Sequence, residues 1–204
     1  LAFQDVVGNK EVIAAIKANL KEEDYNHAML FTGPAGTGKT TLARIVASEL
    51  GAYDPEKVSN PGFREINAAD FRGIDTIRAI REESTRLPLG APKRVFFFDE
   101  AHRLTKDAQE MLLKVLEEAA GFNHYLFATT NPEVFLPTFK RRVATYNLLP
   151  LSEKQVLEYI TSICEDEEID APEEALKTIA ADCMGSLGVA LGILDAVKGL
   201  SGAK

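Results

Sequence analysis

Apolar positions change their period several times along the chain, and each change marks an element. Val12, Ile13, Ile16 and Leu20 recur at three- and four-residue spacing, which predicts a helix over 8–21. Ala28-Met29-Leu30-Phe31 is a continuous apolar run and reads as a buried strand over 28–32. Thr41 to Ala47 are good helix formers, and that helix is expected to reach about Leu50. Phe63–Asn67 reads as a second strand and about 73–83 as a helix. Arg94-Val95-Phe96-Phe97-Phe98 is apolar on both faces, as an interior strand of a parallel sheet requires. Thr105 is placed to cap a helix running to Glu118. Tyr125–Thr130 is a fourth strand, expected beside the second, and Val143–Leu148 a shorter fifth. Strands alternating with helices predict an α/β fold with a five-stranded parallel sheet covered by helices on both faces.

After Pro150 the texture changes. Residues 152–168, 172–184 and 186–199 read as three helices with no strand between them, and Ser152 followed by Gln155 is a helix start. This predicts a core over 1–149 and a small helical domain over 150–204. Composition narrows the class. The chain has 204 residues, 46% hydrophobic and 26% charged, enough apolar material for a sizeable core. Cys164 and Cys183 stand alone, without Cys or His at metal-ligand spacing, so a disulfide scaffold and a zinc site are not expected and a reducing, cytoplasmic location is. A net charge of −8 argues against a surface that coats nucleic acid throughout, though not against a local basic face. The chain starts at Leu1 and ends in Ser201-Gly202-Ala203-Lys204, which reads as a piece of a longer polypeptide.

Chemistry concentrates in Gly33-Pro34-Ala35-Gly36-Thr37-Gly38-Lys39-Thr40-Thr41. Residues 33–40 match G-x-x-x-x-G-K-[ST] between a strand and a helix, the context a phosphate-binding loop needs. The glycines let backbone N–H groups turn toward phosphate oxygens, and the helix N-terminus adds positive charge. Lys39 can reach the β- and γ-phosphates of a nucleotide, and the Thr40 hydroxyl can ligate Mg²⁺. Asp99 ends the Phe-rich strand, where open α/β sheets bind ligands, and suits the same Mg²⁺. Glu100 is placed to polarise an attacking water. Asp99-Glu100-Ala101-His102 also spells a helicase signature, but 204 residues leave no room for the second domain such a helicase needs. Thr130 and Asn131 end the fourth strand, either as γ-phosphate and water contacts or as an ordinary turn before Pro132. Lys140-Arg141-Arg142 is a basic triplet before the fifth strand.

Together these residues resemble the AAA+ ATPases, and among them the clamp-loader subunits: the bacterial tau/gamma subunit, the small subunits of replication factor C and their phage counterparts. Phe3-Gln4-Asp5-Val6-Val7-Gly8 resembles the N-terminal box whose backbone contacts adenine, at Val6 and Val7. Glu65-Ile66-Asn67-Ala68-Ala69-Asp70-Phe71-Arg72-Gly73-Ile74 is close to the Glu-Leu-Asn-Ala-Ser-Asp-x-Arg-Gly-Ile stretch of replication factor C. Phe98 to His102, through Gln109 and Leu113 to Glu117-Glu118, follows the family's Asp-Glu-Ala/Val box and its helix, and Ala128 to Pro132 resembles sensor 1. Two departures stand out. Arg141-Arg142-Val143 replaces Ser-Arg-Cys, keeping the arginine finger at Arg142, and Gly188 in Gly185-Ser186-Leu187-Gly188 occupies the place of the sensor-2 arginine. The resemblance implies ATP and Mg²⁺ as ligands and an ATPase completed in trans by a neighbouring subunit. It also implies other loader subunits, a sliding clamp and primer–template DNA as partners. Arg72, Arg103 and Lys106 are the implied DNA contacts, Arg72 doubling as a switch on Glu100. Nothing in 1–204 corresponds to the family's C-terminal collar. Two other readings stay open, another AAA+ DNA motor for branch migration or replication restart, and a nucleotide-binding scaffold with little turnover.

Overall fold

A computed structural model describes residues 2–22, 26–70, 74–119 and 121–201, with the side chains of 70, 74 and 198–201 left aside. Five strands form one parallel sheet: β1 (Ala28–Thr32), β2 (Phe63–Asn67), β3 (Arg94–Asp99), β4 (Asn123–Thr129) and β5 (Ala144–Asn147). Among the described residues, eight α-helices accompany them: α1 (Lys10–Asn19), α2 (Lys39–Glu49), α3 (Ile74–Ser84), α4 (Lys106–Glu117), α5 (Pro137–Lys140), α6 (Glu153–Asp166), α7 (Glu173–Asp182) and α8 (Leu187–Ser201). The Thr105 hydroxyl accepts the Ala108 N–H, so α4 begins where the sequence places it.

The sheet runs β2-β3-β4-β1-β5. The expectation that the fourth strand lies beside the second is therefore wrong: β4 pairs with β3 and β1, while β2 takes the edge. After β1 the chain crosses to that edge and works back inward, so β4 fills the gap the crossover leaves. This reversal beside β1 opens a crevice at the carboxyl ends of β1, β3 and β4, where such sheets bind ligands.

Strand alternation divides the core in two. Leu30, Phe96, Phe98, Tyr125 and Phe127 point to one face and meet Ile77, Ile80, Leu112 and Val115 of α3 and α4. Met29, Phe31, Val95, Phe97 and Leu126 point to the other and meet Ile13, Ile16, Leu42 and Val46 of α1 and α2. Phe98 and Phe127 stack at 4.9 Å across neighbouring strands. Helices α6, α7 and α8 bury a third cluster of their own, centred on Val156, Ile160, Ile179 and Ala190. Among the described residues no helix is long and apolar enough to cross a membrane.

His124 on β4 is buried with its Nε2 3.3 Å from His27 Nδ1. Burial, and then the charges of His27 and Lys93, push its pKa down to about 3. The unfolded chain takes up this proton near pH 6.5, and the folded chain does so only near the bottom of the range. Stability from this site is thus present above pH 6.5 and is lost as pH falls toward 3. Urea melts should show a loss of about 2 kcal/mol from this site between pH 7 and pH 5, and a flatter profile in His124→Asn.

Candidate functional site

The phosphate loop joins β1 to α2 and is built on left-handed glycines. Gly36 has φ +77° and Gly38, which opens α2, has φ +86°. Gly33 has φ +144°, and a Cβ there would stand 2.3 Å from the Leu148 carbonyl oxygen. A side chain at this point strains the backbone and collides with the end of β5 at once. Gly33→Ala should therefore lower stability by about 1–3 kcal/mol from backbone strain alone. A lower urea midpoint at unchanged slope would show it.

Lys39 is buried, and its ammonium donates to the carbonyl oxygens of Gly33 (2.8 Å) and Pro34 (2.7 Å). Desolvation holds its pKa below the usual lysine value, with Glu100 and Asp99 pulling it back up. The Thr37 hydroxyl donates to the same Pro34 oxygen at 2.9 Å. The loop thus closes on its own lysine through two backbone carbonyls. One residue on, the Thr40 hydroxyl donates to Asp99 Oδ2 at 2.9 Å, tying the start of α2 to the end of β3. The other oxygen, Asp99 Oδ1, accepts the Glu100 N–H at 2.8 Å. Glu100 adopts φ +51°, an uncommon conformation for a residue with a side chain. It turns sharply out of the strand, and its carboxylate lies 3.3 Å from His102 Nδ1.

A cleft of about 510 Å³ joins these groups. Val6, Val7, Ala35 to Thr41, Asp99, Glu100 and Thr130 line it together. Gly33 and Pro34 serve it through their carbonyls on Lys39. Thr130 reaches it because β4 runs between β1 and β3. Asn131 does not line it: its side chain caps the next turn, accepting the Glu133 N–H at 3.3 Å, so the ordinary-turn alternative describes its geometry. Arg142 lies elsewhere, its Nη2 2.7 Å from Glu117 Oε1 in a depression shared with Asn26, His27 and Arg141. Arg103 and Lys106 are exposed at the entry to α4, outside the cleft. Arg72 lies outside the described residues.

The helical segment supplies what motif reading misses. Leu151, Tyr159 of α6, and Leu187 and Leu191 of α8 line the same cleft and give it an apolar wall. Gly188 also lines this wall, and a Cβ on it would meet nothing nearer than Ser186 Oγ at 3.9 Å. The signal for these residues is the apolar periodicity of their helices, which cannot be told from ordinary core until the helices dock.

A strand–glycine loop–helix cradle, a hydroxyl–carboxylate pair at the end of a neighbouring strand and a helical lid over the opening define a P-loop nucleotide-binding protein of the AAA+ class. The sequence model of the family described as "DNA polymerase III, delta subunit" matches residues 8–152. The chain belongs to this clamp-loader family of AAA+ proteins. It is 35% identical over 200 residues to the replication factor C small subunit of Methanothermobacter thermautotrophicus, covering 97% of this chain and 60% of that protein. It is 32% identical over 211 residues to DNA polymerase III subunit gamma/tau of Mycobacterium tuberculosis, covering 95% of this chain and 36% of that one. Among solved structures it resembles the RuvB Holliday junction branch migration motor of Thermotoga maritima, with TM-score 0.76 and 22% identity over 97% of this chain and 64% of that one. That likeness speaks to the fold. The chain spans about 60% of the replication factor C subunit it matches.

Proposed function

We propose that this chain is the ATP-binding and ATP-hydrolysing module of a sliding-clamp loader, with 1–149 as nucleotide-binding core and 150–204 as lid. The observation that carries the reading is the convergence of Lys39, Thr40, Asp99, Glu100 and Thr130 on one cleft between the sheet and the helical segment. The triphosphate lies along the loop, taking the Lys39 ammonium from the Gly33 and Pro34 carbonyls. Thr40 and Asp99 offer hard oxygen donors in mutual contact, a set that fits Mg²⁺, which when bound neutralises charge on the phosphate oxygens. Glu100 accepts a hydrogen bond from the attacking water and sets it in line with the γ-phosphate, and the Thr130 hydroxyl donates to the same end of the nucleotide. Val6, Val7, Leu151, Tyr159, Leu187 and Leu191 enclose the base.

Arg142 stands outside this cleft, and on this reading its charge acts on the nucleotide of a neighbouring subunit. Other loader subunits, the clamp and primer–template DNA are the proposed partners, with Arg103 and Lys106 as phosphate contacts that carry no sequence information. Steady-state hydrolysis over a range of protein concentrations, with and without clamp and primer–template DNA, tests the whole reading. A rate per chain that rises with all three supports it. Stimulation by junction DNA instead would move the assignment to a branch-migration motor. ATP binding without turnover under any condition would leave a nucleotide-binding scaffold.

Gly188 gives a separate check on the lid. A Cβ at this position meets nothing nearer than 3.9 Å, so an arginine there starts without a backbone clash. A charged hydrogen bond of the usual size predicts that Gly188→Arg tightens ATP about tenfold and leaves ADP nearly unchanged, as read by nucleotide titration.

A further inference from the structure

Gly36, in the phosphate loop, touches Ser186, at the entry to α8. A Cβ built on Gly36 would fall 2.2 Å from Ser186 Oγ and 2.6 Å from Ser186 Cβ. No side chain fits in that space, so loop and lid pack here in direct contact.

Ser186 is buried and firmly held. Its N–H donates to the Cys183 carbonyl (3.0 Å), its Oγ accepts the Val189 N–H (3.3 Å) and its carbonyl accepts the Ala190 N–H (3.0 Å). The preceding Gly185, at φ +76°, has its Cβ position 2.5 Å from the Leu151 carbonyl oxygen, and its own carbonyl accepts the Leu151 N–H at 3.1 Å. Ser186 therefore cannot yield without carrying the start of α8 with it. The loop side is held differently. Its shape depends on the Lys39 and Thr37 bonds to the Gly33 and Pro34 carbonyls, the former being bonds that a phosphate competes for. A loop that changes shape beside a rigid contact moves what that contact supports. Gly188, the second residue of the helix, has no side chain with which to do the same.

We propose that Ser186 is the positioning residue through which the phosphate loop sets the angle of α8, so that nucleotide state reaches the lid by direct contact and without an arginine at position 188. The proposal rests on the nucleotide reading above. Its test uses the whole chain with spin labels on Val58→Cys and Val197→Cys, two exposed positions on core and lid, the native Cys164 and Cys183 being buried. Core–lid distances are measured with and without a slowly hydrolysed ATP analogue, and binding of that analogue is titrated separately. The chain with Ser186 intact should bind the analogue and shift its distance distribution. Ser186→Gly removes the contact while remaining acceptable as a helix N-cap, and should reduce the shift to less than half. Ser186→Thr, which keeps the hydroxyl and Cβ, should preserve it. A full shift in Ser186→Gly overturns the proposal, as does analogue binding without any shift in the Ser186 chain. If the Ser186 chain does not bind the analogue, the nucleotide reading fails first and the proposal with it. A thermal melt of each variant separates lost coupling from lost folding.

Discussion

Glu100→Gln should bind ATP as tightly as the unsubstituted chain and hydrolyse it about 10²–10⁴-fold more slowly, the usual contribution of a positioned acid–base group. The substitution keeps the size of the side chain and the φ +51° turn that carries it out of β3. It leaves the Thr40–Asp99 pair and both Lys39 bonds intact. What it removes is negative charge lining the cleft, and with it, on the proposed reading, the acceptor that polarises water. Because the ground-state contacts survive, the loss should fall on the catalytic rate constant and not on binding. Single-turnover hydrolysis beside a nucleotide titration separates the two. A parallel loss of affinity and rate would place Glu100 in binding, and an unchanged rate would remove it from the chemistry. Lys39→Ala gives the contrasting pattern, since it deletes a cation from the phosphate cradle and should weaken binding and turnover together.

Much of this site is legible in sequence because it is local. The phosphate loop lies within nine consecutive residues, and its flanking strand and helix fix its geometry without reference to the rest of the chain. Asp99 and Glu100 are legible because the Phe96–Phe98 run ends at them, and an interior strand of a parallel sheet ends at the ligand-binding edge. Contacts between distant parts of the chain are not legible in this way. The place of β4 depends on a crossover that strand composition does not encode. The short α5 is below the length at which periodicity can be read. Tyr159, Leu187 and Leu191 share their spacing with the core residues of the same helices, and only docking against the loop turns them into a cleft wall. Glycines are a special case. The freedom that Gly33 and Gly36 bring is visible in the motif, but that their missing side chains make room for Leu148 and Ser186 is visible only in three dimensions.

Arg142→Ala should retain ATP binding and lose about 10³-fold or more in turnover, the range over which arginine fingers act. The geometry separates these effects. Arg142 does not line the chain's own cleft, and its guanidinium is held by Glu117 at the end of α4, so its removal leaves the phosphate cradle untouched. Charge supplied from one chain to the nucleotide of another has a consequence that charge supplied within a chain lacks. Arg142→Ala keeps a complete cleft and lacks the finger, while Glu100→Gln keeps the finger and lacks a competent cleft. Each should be nearly inactive alone. Mixed, they should form interfaces in which the finger of the Glu100→Gln chain faces the intact cleft of the Arg142→Ala chain, and hydrolysis should return at a fraction of those interfaces. The recovered rate should peak near equal proportions and fall on dilution as the assembly dissociates. Glu117→Ala should give a milder loss, because it frees the arginine without deleting its charge. If the mixture stays as inactive as its components at concentrations where the unsubstituted chain is active, Arg142 does not act between subunits and the trans-completed site is wrong.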